Sequence, residues 1–248
     1  MKVMYISSSV SPSPSVRYWR SGESEDSAMI STIGSSATYN AAQLCDAPAN
    51  EDKEKWANVV GQQWFRDPGF THTVEMVDLL PDNGYSYRVG NDEHGWSDVF
   101  SFQSAPNSQG PVSFVAFGDA DIEEAAKNTS YYVKKEIDEK GSAFTLHFGD
   151  LGYADGNAWV WDRWGSIISP GAASAPYMTT GGNHEMDYSE GGQDPTGEGP
   201  FKPDWWAGGD SKGECGVPLF VRWGSAMPKD NHGGGGNKLI VISYNFKF

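Results

Sequence analysis

Three short apolar runs constrain this chain more than any other feature, because each stops at a glycine followed by an oxygen-bearing side chain. They are "PVSFVAFGD" ending on Asp119, "SAFTLHFGD" ending on Asp150, and "APYMTTGGNHE" carrying Asn183 and His184. Each run has strand length, and helical patterns separate them. In "IEEAAKNTSYYVKKEIDEK", Ile122, Ala126, Val133 and Ile137 share one stripe, with acids early and lysines late as the helix dipole favours. "NAWVWDRWGSIISP" predicts a shorter helix stopped at Pro170. Strand, helix, strand, helix, strand implies a parallel sheet, whose carboxyl edge collects the loops and helix N-termini.

The first hundred residues have a different period. "VRYWRS", "AMISTI", "THTVEMVDL", "YSYRVG" and "DVFSFQS" are short β-type segments between clusters of Gly, Pro, Ser and Asp, which predicts an antiparallel sandwich. Val3, Tyr5 and Val10 read as alternating strand positions. The rhythm of "LLPDNGYSYRVG" and "GWSDVFSFQSAP" resembles a fibronectin type III-like domain. "APNSQGP", Ala105 to Pro111, then reads as a linker. The expected fold is therefore a β-sandwich over 1–108 followed by an α/β layer over 111–248. Beyond Asp187 the chain is rich in Gly, Pro and Trp as far as Asn237, and then ends on one last strand.

A formal net charge of −15 without any Lys/Arg cluster argues against nucleic acid as a partner. No apolar run approaches the roughly 18 residues of a membrane span, and the longest, "KLIVISYNF", is strand length. The N-terminal stretch is too short and polar for a secretory signal. Cys45 and Cys215 match no metal or redox spacing, which leaves either one disulfide or two buried thiols. Asn128-Thr129-Ser130 fits a glycosylation sequon, a pattern that also arises by chance.

Asp119, Asp150 and Asn183 are oxygen donors suited to hard or borderline cations, and a carboxylate between two strand ends can bridge a metal pair. Glycines 118, 149 and 182 precede them, as expected where backbone must come close to an ion. Tyr153 is either an ordinary core aromatic or a ligand. A phenol of pKa about 10 becomes a ligand only beside a strongly polarising ion such as Fe(III). Taken singly, a Gly-Asp after an apolar run is common turn chemistry; three on consecutive strands form a pattern. Asp155, Asp162, Glu185 and Asp187 read as surrounding groups, His147 as a core residue, and His72 and His94 as part of the sandwich, without functional roles.

"FGDAD", "HFGDLGYADG" and "GGNHEMDY" resemble the first three motifs of the metallophosphoesterase superfamily, and the tyrosine points to purple acid phosphatases. "WVWDRWGSII", "GPFKPDWW", "GECGVP", "CDAPAN" and "FRDPGFTHTVEM" resemble the large plant-type members. The resemblance implies Fe(III) on Asp119, Asp150 and Tyr153, and a divalent Zn, Mn or Fe on Asp150 and Asn183. It further implies His184 at the phosphate or leaving group, and phosphomonoester substrates attacked by a metal-bound hydroxide. A secreted or vacuolar location and a disulfide from Cys45 to Cys215 tying the two domains are consistent with it.

The sequence departs from the family pattern in two places. Asp121 stands where the first motif has glycine, which raises the expectation of an altered turn. The family's later histidine ligands, including a His-x-His pair, have no counterpart, with only His232 as a substitute. The chain thus reads as cut at both ends, lacking the sandwich's first strand, with half of a metal cage and an apolar sheet face and edge in need of cover. Two alternatives follow: a non-catalytic binding or regulatory module, or a metallophosphodiesterase.

Overall fold

The computed structural model describes residues 1–8, 13–51, 64–107, 110–186, 210–224, 240–242 and 244–247. Val10, Asp187 and His232 lie outside them.

Two antiparallel sheets form in the N-terminal part. β1 (Lys2–Ser7), β4 (Gly34–Ala37) and β5 (Phe70–Glu75) lie in one sheet, with β1 and β4 both antiparallel to β5. β2 (Ser15–Arg20), β3 (Met29–Ser31), β6 (Gly84–Asn91), β7 (Gly95–Trp96) and β8 (Phe100–Gln103) form the other. Tyr85, Tyr87 and Val89 alternate inward along β6 and meet Val3, Tyr5, Val16, Tyr18 and Val74 in one core. β4 and β7 were not expected from the sequence: "GSSA" is too small and polar to show a strand pattern, and β7 is only two residues long.

β1 departs from the simple alternation. Val3, Met4, Tyr5 and Ile6 are all buried. Val3 and Tyr5 face the sandwich core, while Met4 and Ile6 enter a second core with Leu151, Val160, Trp161, Trp164 and Trp223. A strand buried on both faces is apolar throughout, so its hydropathy does not report which side faces solvent.

The second layer holds β9 (Val115–Phe117), β10 (Thr145–Phe148) and β11 (Tyr177–Thr180) in parallel, in the order β9-β10-β11. α1 (Glu124–Lys140) and α2 (Ala158–Ala172) are the crossovers. α1 ends on Gly141 at φ 69°, a left-handed cap that glycine adopts without a Cβ penalty. α2 continues two residues past Pro170, contrary to the expected stop. Proline removes one hydrogen bond within the helix, but Gly171 packs on Val133 and Ile137 of α1, and Ala172 is fully buried. Packing of the last turn outweighs that loss.

α3 (Asn183–Met186) follows β11, and α4 (Val217–Trp223) carries Leu219 and Trp223 into the second core. In place of one last strand there are two, β12 (Ile240–Ile242) antiparallel to β11 and β13 (Tyr244–Lys247) parallel to β1. Phe114 and Phe148, on the sheet face opposite His147 and Tyr177, are exposed. Among the links between the layers, Tyr87 Oη donates to the Ala173 carbonyl at 2.9 Å, and Cys45 and Cys215 form a disulfide. The two-thiol alternative is thereby set aside.

Candidate metal centre

The loops after the three parallel strands are laced together by their own backbones. Asp119 N donates to Gly149 O (3.3 Å) and Ala120 N to Asp150 O (3.0 Å), joining the first loop to the second. The third is joined through His184 N, which donates to Asp150 Oδ1 at 3.2 Å. Glu185, 1 % exposed, completes the lacing. Its carboxylate accepts from the backbone N–H groups of Asp150 (2.9 Å), Leu151 (2.8 Å) and Gly182 (2.9 Å).

The side chains then converge. Tyr153 Oη donates to Asp119 Oδ1 at 2.8 Å and lies 3.3 Å from Asp150 Oδ2. The Tyr153 and His184 rings are 4.4 Å apart. His184 Nδ1 pairs with Asp155 Oδ1 at 2.8 Å. Asn183 Nδ2 donates to Asp210 Oδ2 at 3.0 Å. The Asp119 and Asp150 carboxylates thus meet at the Tyr153 hydroxyl, and Asn183 sits one residue from the group that binds Asp150.

The glycines have separate reasons. A Cβ on Gly182 would collide with Asp150 Oδ1 and lie 2.5 Å from Asp150 N; one on Gly149 would lie 2.5 Å from Gly182 N. Both are therefore needed for loop-to-loop approach. Gly118 has no such need, since its nearest neighbour would be 3.6 Å away.

Asp119, Asp121, Asp150, Tyr153 and Asp155 all have φ between 48° and 57°. Non-glycine residues in this region are uncommon and strained, and such strain concentrates at functional loops. Asp121 keeps the left-handed conformation that glycine adopts freely, and its carboxylate accepts from Glu123 N at 2.5 Å ahead of α1. Asp tolerates this conformation better than most residues do.

Burial, with negative neighbours added, shifts the proton affinities of several of these groups. Burial, followed by the Asp119 and Asp150 carboxylates, pushes the Tyr153 phenol well above its usual range. Burial also raises Asp150, against the N–H of His184. For His184, burial opposes protonation, but Asp155 outweighs it and the imidazole titrates above its usual value. Burial pushes Glu185 up to about 7 and Glu214 up to about 8. His147 is buried with Nδ1 on Tyr177 Oη, and burial pushes it down to about 3.

Two carboxylates, a phenol and a nearby amide are oxygen donors that fit a hard cation, and a positive ion would favour the ionised forms that burial now disfavours at Tyr153 and Asp150. Among the described residues, no group of three or more His, Cys, Asp or Glu side chains is arranged to hold an ion. Asp210 and Glu214 escaped the sequence reading: they lie in the aperiodic "GGDSKGECG", where nothing in the local pattern signals contact with the sheet.

Fold and edge together define a class, an antiparallel sandwich docked on a parallel sheet with oxygen donors at its carboxyl edge. Residues 1–104 match the family described as Purple acid Phosphatase, N-terminal domain. The chain is 33% identical over 220 residues to the protein named Probable inactive purple acid phosphatase 9 of Arabidopsis thaliana, covering 82% of this chain and 31% of that one. Purple acid phosphatase 22 of the same plant is 35% identical over 126 residues, covering 50% and 27%. The structure of purple acid phosphatase PPD1 from yellow lupin (Lupinus luteus) seeds superposes with a TM-score of 0.68 at 26% identity, covering 88% of this chain and 36% of that one. The chain belongs to the purple acid phosphatase family. It spans about a third of the length of the curated relatives it matches.

Proposed function

We propose that the protein is an acid phosphatase that hydrolyses phosphomonoesters at a metal pair. In this reading residues 1–108 form a fibronectin type III-like sandwich and 111–248 contribute the first part of the catalytic domain. Asp119, Asp150 and Tyr153 hold Fe(III), and Asp150 and Asn183 hold a divalent Zn, Mn or Fe. When bound, such a pair supplies Lewis acidity and a nucleophile at acidic pH. The observation that carries the reading is the convergence of Asp119, Asp150 and Tyr153 on one hydrogen-bonded cluster.

The chain's own groups do the rest. Glu185 fixes the Asp150 loop against Gly182. His184, whose hold on a proton Asp155 strengthens, is placed to offer that proton to a leaving alkoxide. A secreted or vacuolar setting agrees with the Cys45–Cys215 disulfide.

A second reading, a non-catalytic family member, is favoured by a specific observation: two of the relatives are named Probable inactive purple acid phosphatase 9 and 27. Turnover of p-nitrophenyl phosphate by the metal-loaded chain, with Asp150→Ala as control, separates the two. Metal-dependent turnover lost in the variant supports the phosphatase; an inert loaded chain supports the non-catalytic module.

A further inference from the structure

Asn183 and Asp210 form a pair whose chemistry fixes an orientation. A primary amide donates on one side and accepts on the other, whereas a carboxylate only accepts. With Nδ2 3.0 Å from Asp210 Oδ2, the Asn183 NH₂ group faces Asp210 and the amide oxygen is turned away from it. The opposite rotamer would set two oxygens against each other.

Asp210 does not come from the parallel sheet. It opens the segment 210–216, which lies along residues 45–49 of the N-terminal part. Cys45 N donates to Gly213 O at 2.9 Å and Ala49 N to Lys212 O at 3.2 Å, and Cys215 is bonded to Cys45. Gly213 lies so close to the Asp46 backbone that a Cβ would collide with it. On the site side, Gly216 N donates to Glu185 O at 2.7 Å, and the buried Glu214 carboxylate takes Trp161 Nε1 at 3.0 Å. The segment is thus anchored on both sides.

We propose that Asp210 is a positioning residue of the metal centre: carried by this disulfide-stapled strap, it turns the Asn183 carboxamide so that the oxygen faces the cation. The inference rests on the reading of Asn183 as a cation donor. An amide nitrogen has no lone pair free for a metal and would direct its protons at the ion, so losing the orienting partner disfavours binding. Removing an outer hydrogen-bond partner of a ligand typically weakens metal affinity about 10–100-fold.

Two readouts on the full chain test this. The Asn183 side-chain NH₂ resonances, assigned by their absence in Asn183→Asp, should move in Asp210→Ala and stay near their original positions in Asp210→Asn, which still accepts through its own oxygen. Mn(II) affinity, followed by electron paramagnetic resonance, should fall about 10–100-fold in Asp210→Ala and recover in Asp210→Asn. If Asp210→Ala does not fold, Asp210→Lys makes the same test, since an ammonium only donates and would claim the amide oxygen. Unchanged resonances or unchanged Mn(II) affinity in Asp210→Ala overturns the proposal. A wild-type chain that binds no Mn(II), even with resonances that respond as expected, overturns the metal reading and the positioning role with it.

Discussion

At the residue scale, Gly118 and Gly182 occupy equivalent places in two motifs yet have opposite steric surroundings. Gly182→Ala should displace Asp150, cost about 1–3 kcal/mol by overpacking and weaken metal binding. Gly118→Ala should leave both unchanged, as thermal unfolding and metal titration of the pair would show. The buried acids set a pH dependence. Glu185 and Glu214 bind protons more tightly folded than unfolded, with values up to about 7 and about 8, and His184 is raised as well. Their contributions are present at lower pH and lost as pH rises through those values. His147, pushed down to about 3, acts the other way, but only below its unfolded value of about 6.5. Stability of the metal-free chain should therefore fall between pH 6.5 and 8.5, with the midpoint dropping about 2–4 °C for each kcal/mol lost. A flat or rising midpoint over that range contradicts these assignments.

At the element scale, β1 serves two cores, and this changes what a single truncation does. Ile6 shares a buried cluster with Leu151, next to Asp150, though it lies on a strand of the sandwich. Ile6→Ala should cost about 2–5 kcal/mol and also weaken metal binding, whereas Val3→Ala, on the sandwich face, should cost stability alone. Calorimetry and metal titration of both variants check this. The parallel strands and α1 were legible because period, caps and strand ends agree along one stretch of chain. β4 and β7 were not, being small and polar or only two residues long, nor was the run of α2 past Pro170, where Gly171 meets Val133 and Ile137 of α1. The position of Asp119, Asp150 and Asn183 just beyond the ends of three parallel strands was legible for the same local reason. Asp210 and Glu214 were not, because only the fold of an aperiodic segment brings them to the sheet.

At the scale of the whole molecule, the sandwich and the parallel layer are joined by the shared strand β1, the Tyr87–Ala173 hydrogen bond and the Cys45–Cys215 bond across 170 residues. Replacing both cysteines by serine should cost about 2–5 kcal/mol in chemical denaturation; an unchanged midpoint would show that the strap is held without the bond. The central claim is that the oxygen donors of two strand ends and Tyr153 gather around a cation. Anomalous scattering from crystals grown with iron and Mn(II) tests it most directly. An ion should lie about 2.0–2.3 Å from oxygens of Asp119, Asp150 and Tyr153. Crystals with no ion there, and with the Tyr153 hydroxyl still bonded to Asp119, would contradict it.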